Sequence, residues 1–290
     1  MNDQIVEVNI SEWDTPSTQE QLITDLESGK VLHFTNLEFP ISEIEQKYFT
    51  SEIRDKKSRN ISLSVSGDIK GVVKNNEAES NLTKMLVRYR NHSHLLVNSI
   101  LPCYKDHLHL AQTSFRPNQI VTRNQSWRAD DKRLHVDAFP SRPNYGERIL
   151  RVFINVNPHN VPRVWRIGEP FEAIVERFLC DTKPYSAWQA KILNAVDITK
   201  SLRSEYDHLM LQLHDSMKRD LSYQSNCPQI TVEFPTGSVW ICFSDQTSHA
   251  AMSGQFMMEQ TFHLPTANQY NPNTSPLAIL SRHMGRQLIY

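Results

Sequence analysis

The chain predicts an α+β fold with a mainly β core, a small antiparallel barrel of jelly-roll type with flanking helices and a helical insertion. Three observations carry this. Period-two alternation, in which successive side chains face opposite ways as on a strand, begins after Pro117 and returns at Gln229. Between the two stretches, residues of about 169–223 read as helices. Ligand-type side chains stand on both sides of this insertion, and Greek-key connections are what bring such distant strands together.

In chain order, residues 1–116 form an α/β lead-in. Thr18 to Ser28 has a helical pattern stopped by Gly29, and Lys30 to Phe34 reads as a buried strand. Ile61 to Val65 alternates before Gly67 and Gly71, which predicts a short hairpin. From Glu79 to Cys103 the apolar residues Leu82, Met85, Leu86, Tyr89, Leu96 and Ile100 fall at helical spacing, closed by Pro102. The barrel is expected over 117–265, with strands at Asn118 to Thr122, Arg133 to Asp137, Arg148 to Asn157, Gln229 to Phe234, Ser238 to Phe243, Ser248 to Met252 and Gln255 to Leu264. Helices Glu169 to Asp181, Ser186 to Asp197 and Leu202 to Tyr223 make the insertion, and 266–290 is a tail with a final helix. All of 1–290 is read as a single catalytic domain.

Composition narrows the class. A hydrophobic content of 39% and a charged content of 22% describe an ordinary globular protein, and no apolar run approaches the roughly 20 residues of a membrane-spanning helix. The acidic start MNDQIVEVNI is no signal peptide, so the expected location is the cytoplasm. Cys103, Cys180, Cys227 and Cys242 are scattered and read as core thiols. The net charge of -1 hides an asymmetry: residues 1–50 carry ten acids against two lysines, whereas 116–166 carry ten cations against four acids. Nine of those ten cations are arginines, whose planar fork grips carboxylates and phosphates. An anionic small molecule is the implied ligand and a nucleic acid is not. The competing reading is a set of solvated, ion-paired arginines.

The chemistry centres on LHVDAFPSRP, Leu134 to Pro143. On an extended segment His135 and Asp137 leave the same face, and a third ligand such as His249 completes a 2-His-1-carboxylate triad, which favours non-haem Fe(II). The plain alternative is a surface ion pair. In the following strand Leu150, Val152, Ile154 and Val156 share one face, so Arg151 on the other points toward the ligands. The close pairs His92 and His94, and His107 and His109, lie on or just beyond a helix without an acid at useful spacing, and read as core or solvated histidines.

The stretch SWRADDKRLHVDAFPSRPNYGERILRVFINVNPHNVPRVWRIGEPF, Ser126 to Phe171, together with WICFSDQTSHAAMSGQFMMEQTFHLP, Trp240 to Pro265, closely resembles the bacterial Kdo hydroxylases. These are Fe(II)/2-oxoglutarate-dependent dioxygenases acting on the 3-deoxy-D-manno-octulosonic acid (Kdo) sugar of lipid A precursors. The resemblance implies a double-stranded β-helix and iron ligands His135, Asp137 and His249. It implies Fe(II), 2-oxoglutarate and O2, with ascorbate supportive in vitro, and hydroxylation at C3 of Kdo to give Ko, succinate and CO2. Many relatives in the wider superfamily hold the 2-oxoglutarate 5-carboxylate with an Arg shortly after the distal His, but Glu259 to His263 contains no Arg or Lys. Arg151 is therefore the first choice for that role and Arg148 the second, with Asn155 and Thr261 as hydrogen-bonding partners. Arg128, Arg142, Arg163 and Arg166 are candidates for Kdo carboxylate or lipid A phosphates, and Trp127 or Trp165 for a sugar face. The implied partner is an anionic glycolipid at the cytoplasmic face of the inner membrane, with the protein peripheral at most. Leu277, Leu280, Met284 and Leu288 make an apolar stripe that reads first as a packed helix and second as a membrane foot. Competing functions are hydroxylation of another substrate on the same barrel and a noncatalytic sugar- or lipid-binding barrel.

Overall fold

A computed structural model describes residues 3–16, 20–120 and 126–289. In chain order come β1 (Ile5–Glu7), α1 (Glu20–Glu27), β2 (Val31–Phe34), α2 (Glu43–Gln46), β3 (Ile61–Leu63), β4 (Ile69–Lys70), α3 (Asn76–Ile100), β5 (His109–Arg116), β6 (Arg148–Asn155) and β7 (Arg163–Ile167). The insertion supplies α4 (Phe171–Phe178), α5 (Ala187–Ala195), α6 (Glu205–Arg219) and α7 (Leu221–Asn226). β8 (Ile230–Phe234), β9 (Val239–Phe243), β10 (His249–Ser253), β11 (Met257–Leu264) and α8 (Pro276–Met284) follow.

Strands β1-β2-β9-β6-β11-β5-β3-β4 form one large sheet, and β10-β7-β8 a small one. The alternation of β6 explains how they stack. Leu150, Val152 and Ile154 pack against Leu82, Met85, Leu86 and Tyr89 of α3, and the Tyr89 hydroxyl donates to Val152 O at 2.9 Å. Asn75 starts that helix by accepting from the amides of Glu77 and Ala78. On the opposite face Phe153 meets Trp165 of the small sheet, with ring centroids 5.0 Å apart. Phe234 of the small sheet stacks on Trp240 of the large one at 4.2 Å. The two sheets thus face each other over an aromatic layer, and the inward faces continue from it toward the ligands.

Several elements differ from the sequence reading. Strand β5 precedes Pro117 instead of following it; Asn118 to Ile120 are irregular, and Val121 and Thr122, like Thr18 and Gln19 of the expected first helix, lie outside the described residues. The alternation of β5 is masked because its inward positions, Ser114 and Arg116, are polar and line the cavity, while Phe115 faces the core. β7 escaped notice for the same reason, with Arg163 inward and Arg166 outward. Arg133 to Asp137 is extended but pairs only through one isolated bridge. Cys103 and Cys180 are exposed, so only Cys227 and Cys242 are core thiols. The C-terminal stripe is packed: Leu280 and Leu288 are buried, with Leu277 and Met284 against the same cluster. No helix among the described residues is long and apolar enough to cross a membrane.

Candidate metal centre

His135 and His249 are joined backbone to backbone. The His135 amide donates to His249 O at 3.1 Å, and the His249 amide to His135 O at 2.9 Å. The Asp137 amide donates to Ser244 O at 2.8 Å, fixing the third ligand at the end of β9. Ligand atoms of His135, Asp137 and His249 all lie within 4.8 Å of one another. Each imidazole is turned by its own backbone: His135 Nδ1 lies 2.7 Å from Arg133 O, and His249 Nδ1 lies 2.8 Å from Thr247 O. A carbonyl can only accept, so Nδ1 carries the proton and Nε2 keeps the lone pair a metal needs. Trp165 stacks on His249 at 5.1 Å and 22°.

The electrostatics favour the same states. Burial holds the His135 imidazole well below its ordinary value, with His249 adding to the effect, and burial lowers His249 as well. Burial raises the Asp137 carboxyl, but Arg151 and then the two imidazoles outweigh it and keep the group below the usual carboxylate range. Arg151 approaches Asp137 Oδ2 at 3.0 Å without hydrogen-bond alignment, so that buried oxygen retains an unused lone pair. Two neutral imidazoles and a carboxylate with an idle buried oxygen fit a divalent cation of the Fe(II) type.

A cavity of about 540 Å3 opens over the triad. It adjoins a second of about 710 Å3, sharing Arg59, Asn60, Arg116, Phe139, Pro140 and Arg151. Glu259 ties two of these cations together: Arg151 lies 2.8 Å from Oε1, and Arg116 pairs with Oε2. Arg163 is buried and donates to Gly254 O at 3.2 Å, yet among the described residues it has no carboxylate partner. Burial pushes its guanidinium down to about 9, with the like charge of Arg116 adding to the shift. Lys218, buried on the cavity wall, donates to Arg128 O at 2.9 Å.

The structure sorts the remaining candidates. Arg151, Arg163 and Trp165 line the cavity, with Arg128 at its edge paired to Asp215 at 2.7 Å. Thr261 and Arg142 line the adjoining cavity. Arg148 does not reach the site: it is on the outer face of β6, fully buried, 2.8 Å from Asp245 and over the Phe243 ring. Arg166 faces outward on β7, where it donates to Gln229 Oε1 and to the carbonyls of Gln224 and Lys132. The Asn155 carboxamide donates to Val161 O and Phe234 O, and Trp127 lies under its neighbour Arg128 instead of on the cavity wall. None of His92, His94, His107 and His109 lines the cavity. Sequence reasoning passed over Arg116, Lys218 and Glu259. The last stood in the window searched for a cation and is a carboxylate facing the site.

The family model described as 3-deoxy-D-manno-oct-2-ulosonic acid (Kdo) hydroxylase matches residues 9–287. No curated protein matches the chain. Among solved structures, the apo Kdo hydroxylase KdoO, a non-haem Fe(II) α-ketoglutarate-dependent dioxygenase, is 43% identical with a TM-score of 0.95, covering 98% of this chain and 97% of its own. The same enzyme with α-ketoglutarate and Fe(III) gives 43% and 0.94 at the same coverage, and its complex with succinate and Fe(III) gives 43% and 0.94, covering 99% and 97%. With a metal-type triad at its centre and this likeness along nearly its whole length, the chain belongs to the Kdo hydroxylase family.

Proposed function

We propose that this enzyme is an Fe(II)/2-oxoglutarate-dependent dioxygenase that hydroxylates C3 of a Kdo sugar on Kdo2-lipid A, giving Ko with succinate and CO2. The observation that carries the reading is a set of idle donors. Arg116 Nε, Arg151 Nε, Arg163 Nε and Trp165 Nε1 are all buried without a partner, on residues that line the cavity beside the triad. Three arginines and a tryptophan with unspent donors on one cavity wall, Arg163 among them without a carboxylate partner, suit a dianion such as 2-oxoglutarate.

His135, Asp137 and His249 would hold Fe(II) through Nε2, a carboxylate oxygen and Nε2. Bound iron supplies O2 activation coupled to oxidative decarboxylation of 2-oxoglutarate. Arg163, the cavity arginine without a carboxylate, holds the 5-carboxylate. Arg151 and Arg116, already shared with Glu259, orient the cosubstrate, and Thr261 offers a hydroxyl. Arg128 and Arg142 meet the anionic substrate at the rim. Phe153, Trp165 and Met257 keep the inner wall apolar and exclude water. The facing sheets fit a double-stranded β-helix within one catalytic unit, working at the cytoplasmic face of the inner membrane.

Anaerobic addition of Fe(II) and 2-oxoglutarate should give a visible charge-transfer band that disappears in His135→Ala. With O2, ascorbate and Kdo2-lipid A, mass spectrometry should find one added oxygen on a Kdo residue. No band from well-folded protein would sink the iron reading. Turnover of 2-oxoglutarate without that product would point to another substrate.

A further inference from the structure

Helix α5 is the least covered element of the insertion, with Ala190 its one buried residue. Trp188, Ile192, Ala195 and Val196 recur at helical spacing and form one stripe. That stripe faces outward. Trp188 is 71% exposed, the most of any large apolar side chain among the described residues, and Ile192, Val196, Ile198 and Leu202 are exposed too. Scattered exposed apolar residues are ordinary; a contiguous run built around a solvated Trp is not. Around it Lys183, Lys191, Lys200 and Arg203 outnumber the acids Asp181, Asp197 and Glu205, of which Glu205 is already paired with Arg286. The apolar stripe is therefore set in positive charge.

This surface is tied to the mouth of the site. The Lys200 amide donates to Ser141 O at 2.8 Å, the Arg203 guanidinium donates to Pro140 O, and the Tyr145 hydroxyl donates to Leu202 O at 2.7 Å. Phe139 and Pro140 line the cavity over the triad, and Ser141 and Arg142 line its neighbour. The far C-terminal stripe offers no alternative foot, because it is packed into the core.

We propose that α5 and residues 196–203 dock on an anionic lipid bilayer. Trp188 and Ile192 enter the headgroup boundary, and Lys183, Lys191, Lys200 and Arg203 meet lipid phosphates, so that the mouth braced by this segment opens at the bilayer surface. The choice of a bilayer over a protein partner rests on the positive charge around the stripe and on the functional reading above, in which the substrate is a glycolipid.

The full chain is floated with vesicles of phosphatidylglycerol and phosphatidylethanolamine, and with pure phosphatidylcholine. Wild type should bind the anionic vesicles with a blue shift in Trp emission, and the double variant W188E/I192E should lose that shift and about tenfold or more in binding. The variant should turn over a delipidated, water-soluble Kdo glycan at the wild-type rate while losing rate on vesicle-embedded substrate. Wild type that ignores anionic vesicles, or a variant that binds them equally well, would overturn the proposal. So would a stripe whose substitution converts a dimer to a monomer in sedimentation with vesicle binding intact. Failure of wild type on the soluble glycan would count against the functional reading and leave the vesicle result standing.

Discussion

The Arg151 guanidinium stands 3.0 Å from Asp137 Oδ2, so this cation of the cavity is also the counter-ion of a metal ligand. Arg163 has no such second duty. The two arginines should therefore fail differently. Arg163→Met should raise the KM for 2-oxoglutarate by roughly 30- to 4,000-fold, the equivalent of about 2–5 kcal/mol for truncating one side of a buried charged pair, with Co(II) affinity nearly unchanged. Arg151→Met should weaken both metal and cosubstrate. Calorimetric titration of Co(II), followed by 2-oxoglutarate kinetics, separates them; equal loss of metal binding in both variants would refute the division of labour.

Acid should loosen the metal-free protein before it reaches the carboxylate range. Burial holds His135 and His249 below their ordinary imidazole value, so near pH 6.5 the unfolded chain gains protons that the folded one refuses. The stability linked to this pair is complete above about pH 6.5 and is lost as pH falls. Asp137 and Glu259, raised by burial but held low overall by Arg151 and Arg116 respectively, contribute in the same direction at lower pH. The melting temperature of apo protein should drop between pH 7 and 5.5, less steeply in His249→Gln. A slope unchanged by that substitution would place the effect elsewhere.

Arg148 marks the boundary between support and chemistry. Its pair with Asp245 is almost fully buried, and Asp245 Oδ1 also accepts the Ile149 amide at 3.1 Å. Arg148→Met leaves that carboxylate uncompensated and should destabilise the fold by about 3–5 kcal/mol, read by urea unfolding. The KM for 2-oxoglutarate should stay at the wild-type value in the folded fraction. A raised KM at full stability would return Arg148 to the cosubstrate.

Gly254 is constrained twice, by φ of +117° and by space, since a Cβ would lie 2.6 Å from Arg163 Cδ and 3.1 Å from its Cα. Gly254→Ala should cost about 1–3 kcal/mol of stability through backbone strain and displace Arg163. A lower melting temperature accompanied by a higher 2-oxoglutarate KM is the expected signature. Lower stability with normal KM would show that the arginine tolerates the shift.

What the sequence disclosed followed what its alternation could express. On β6 the apolar residues Leu150, Val152 and Ile154 declare one face, and Arg151 is thereby assigned to the other. His135 and Asp137 were legible because two positions separate them on an extended segment, even though that segment is hardly a strand. Arg116 was hidden by the same logic, and Arg163 was legible as an anion contact but not as part of a strand: a charged side chain at an alternating position reads as solvent-facing, whereas here the inward face serves an anion. No local pattern could show Glu259 joining Arg116 to Arg151, because that contact exists only once β5, β6 and β11 lie side by side.

The reciprocal amide bonds between His135 and His249 close the chain into a ring that contains the whole helical insertion. An ion held by both imidazoles rivets the neck of that ring. A cut in the exposed α5 segment should therefore leave two fragments that stay joined through their interleaved strands, β9 between β2 and β6 and β11 between β6 and β5, so that a chelator loosens the neck without parting them.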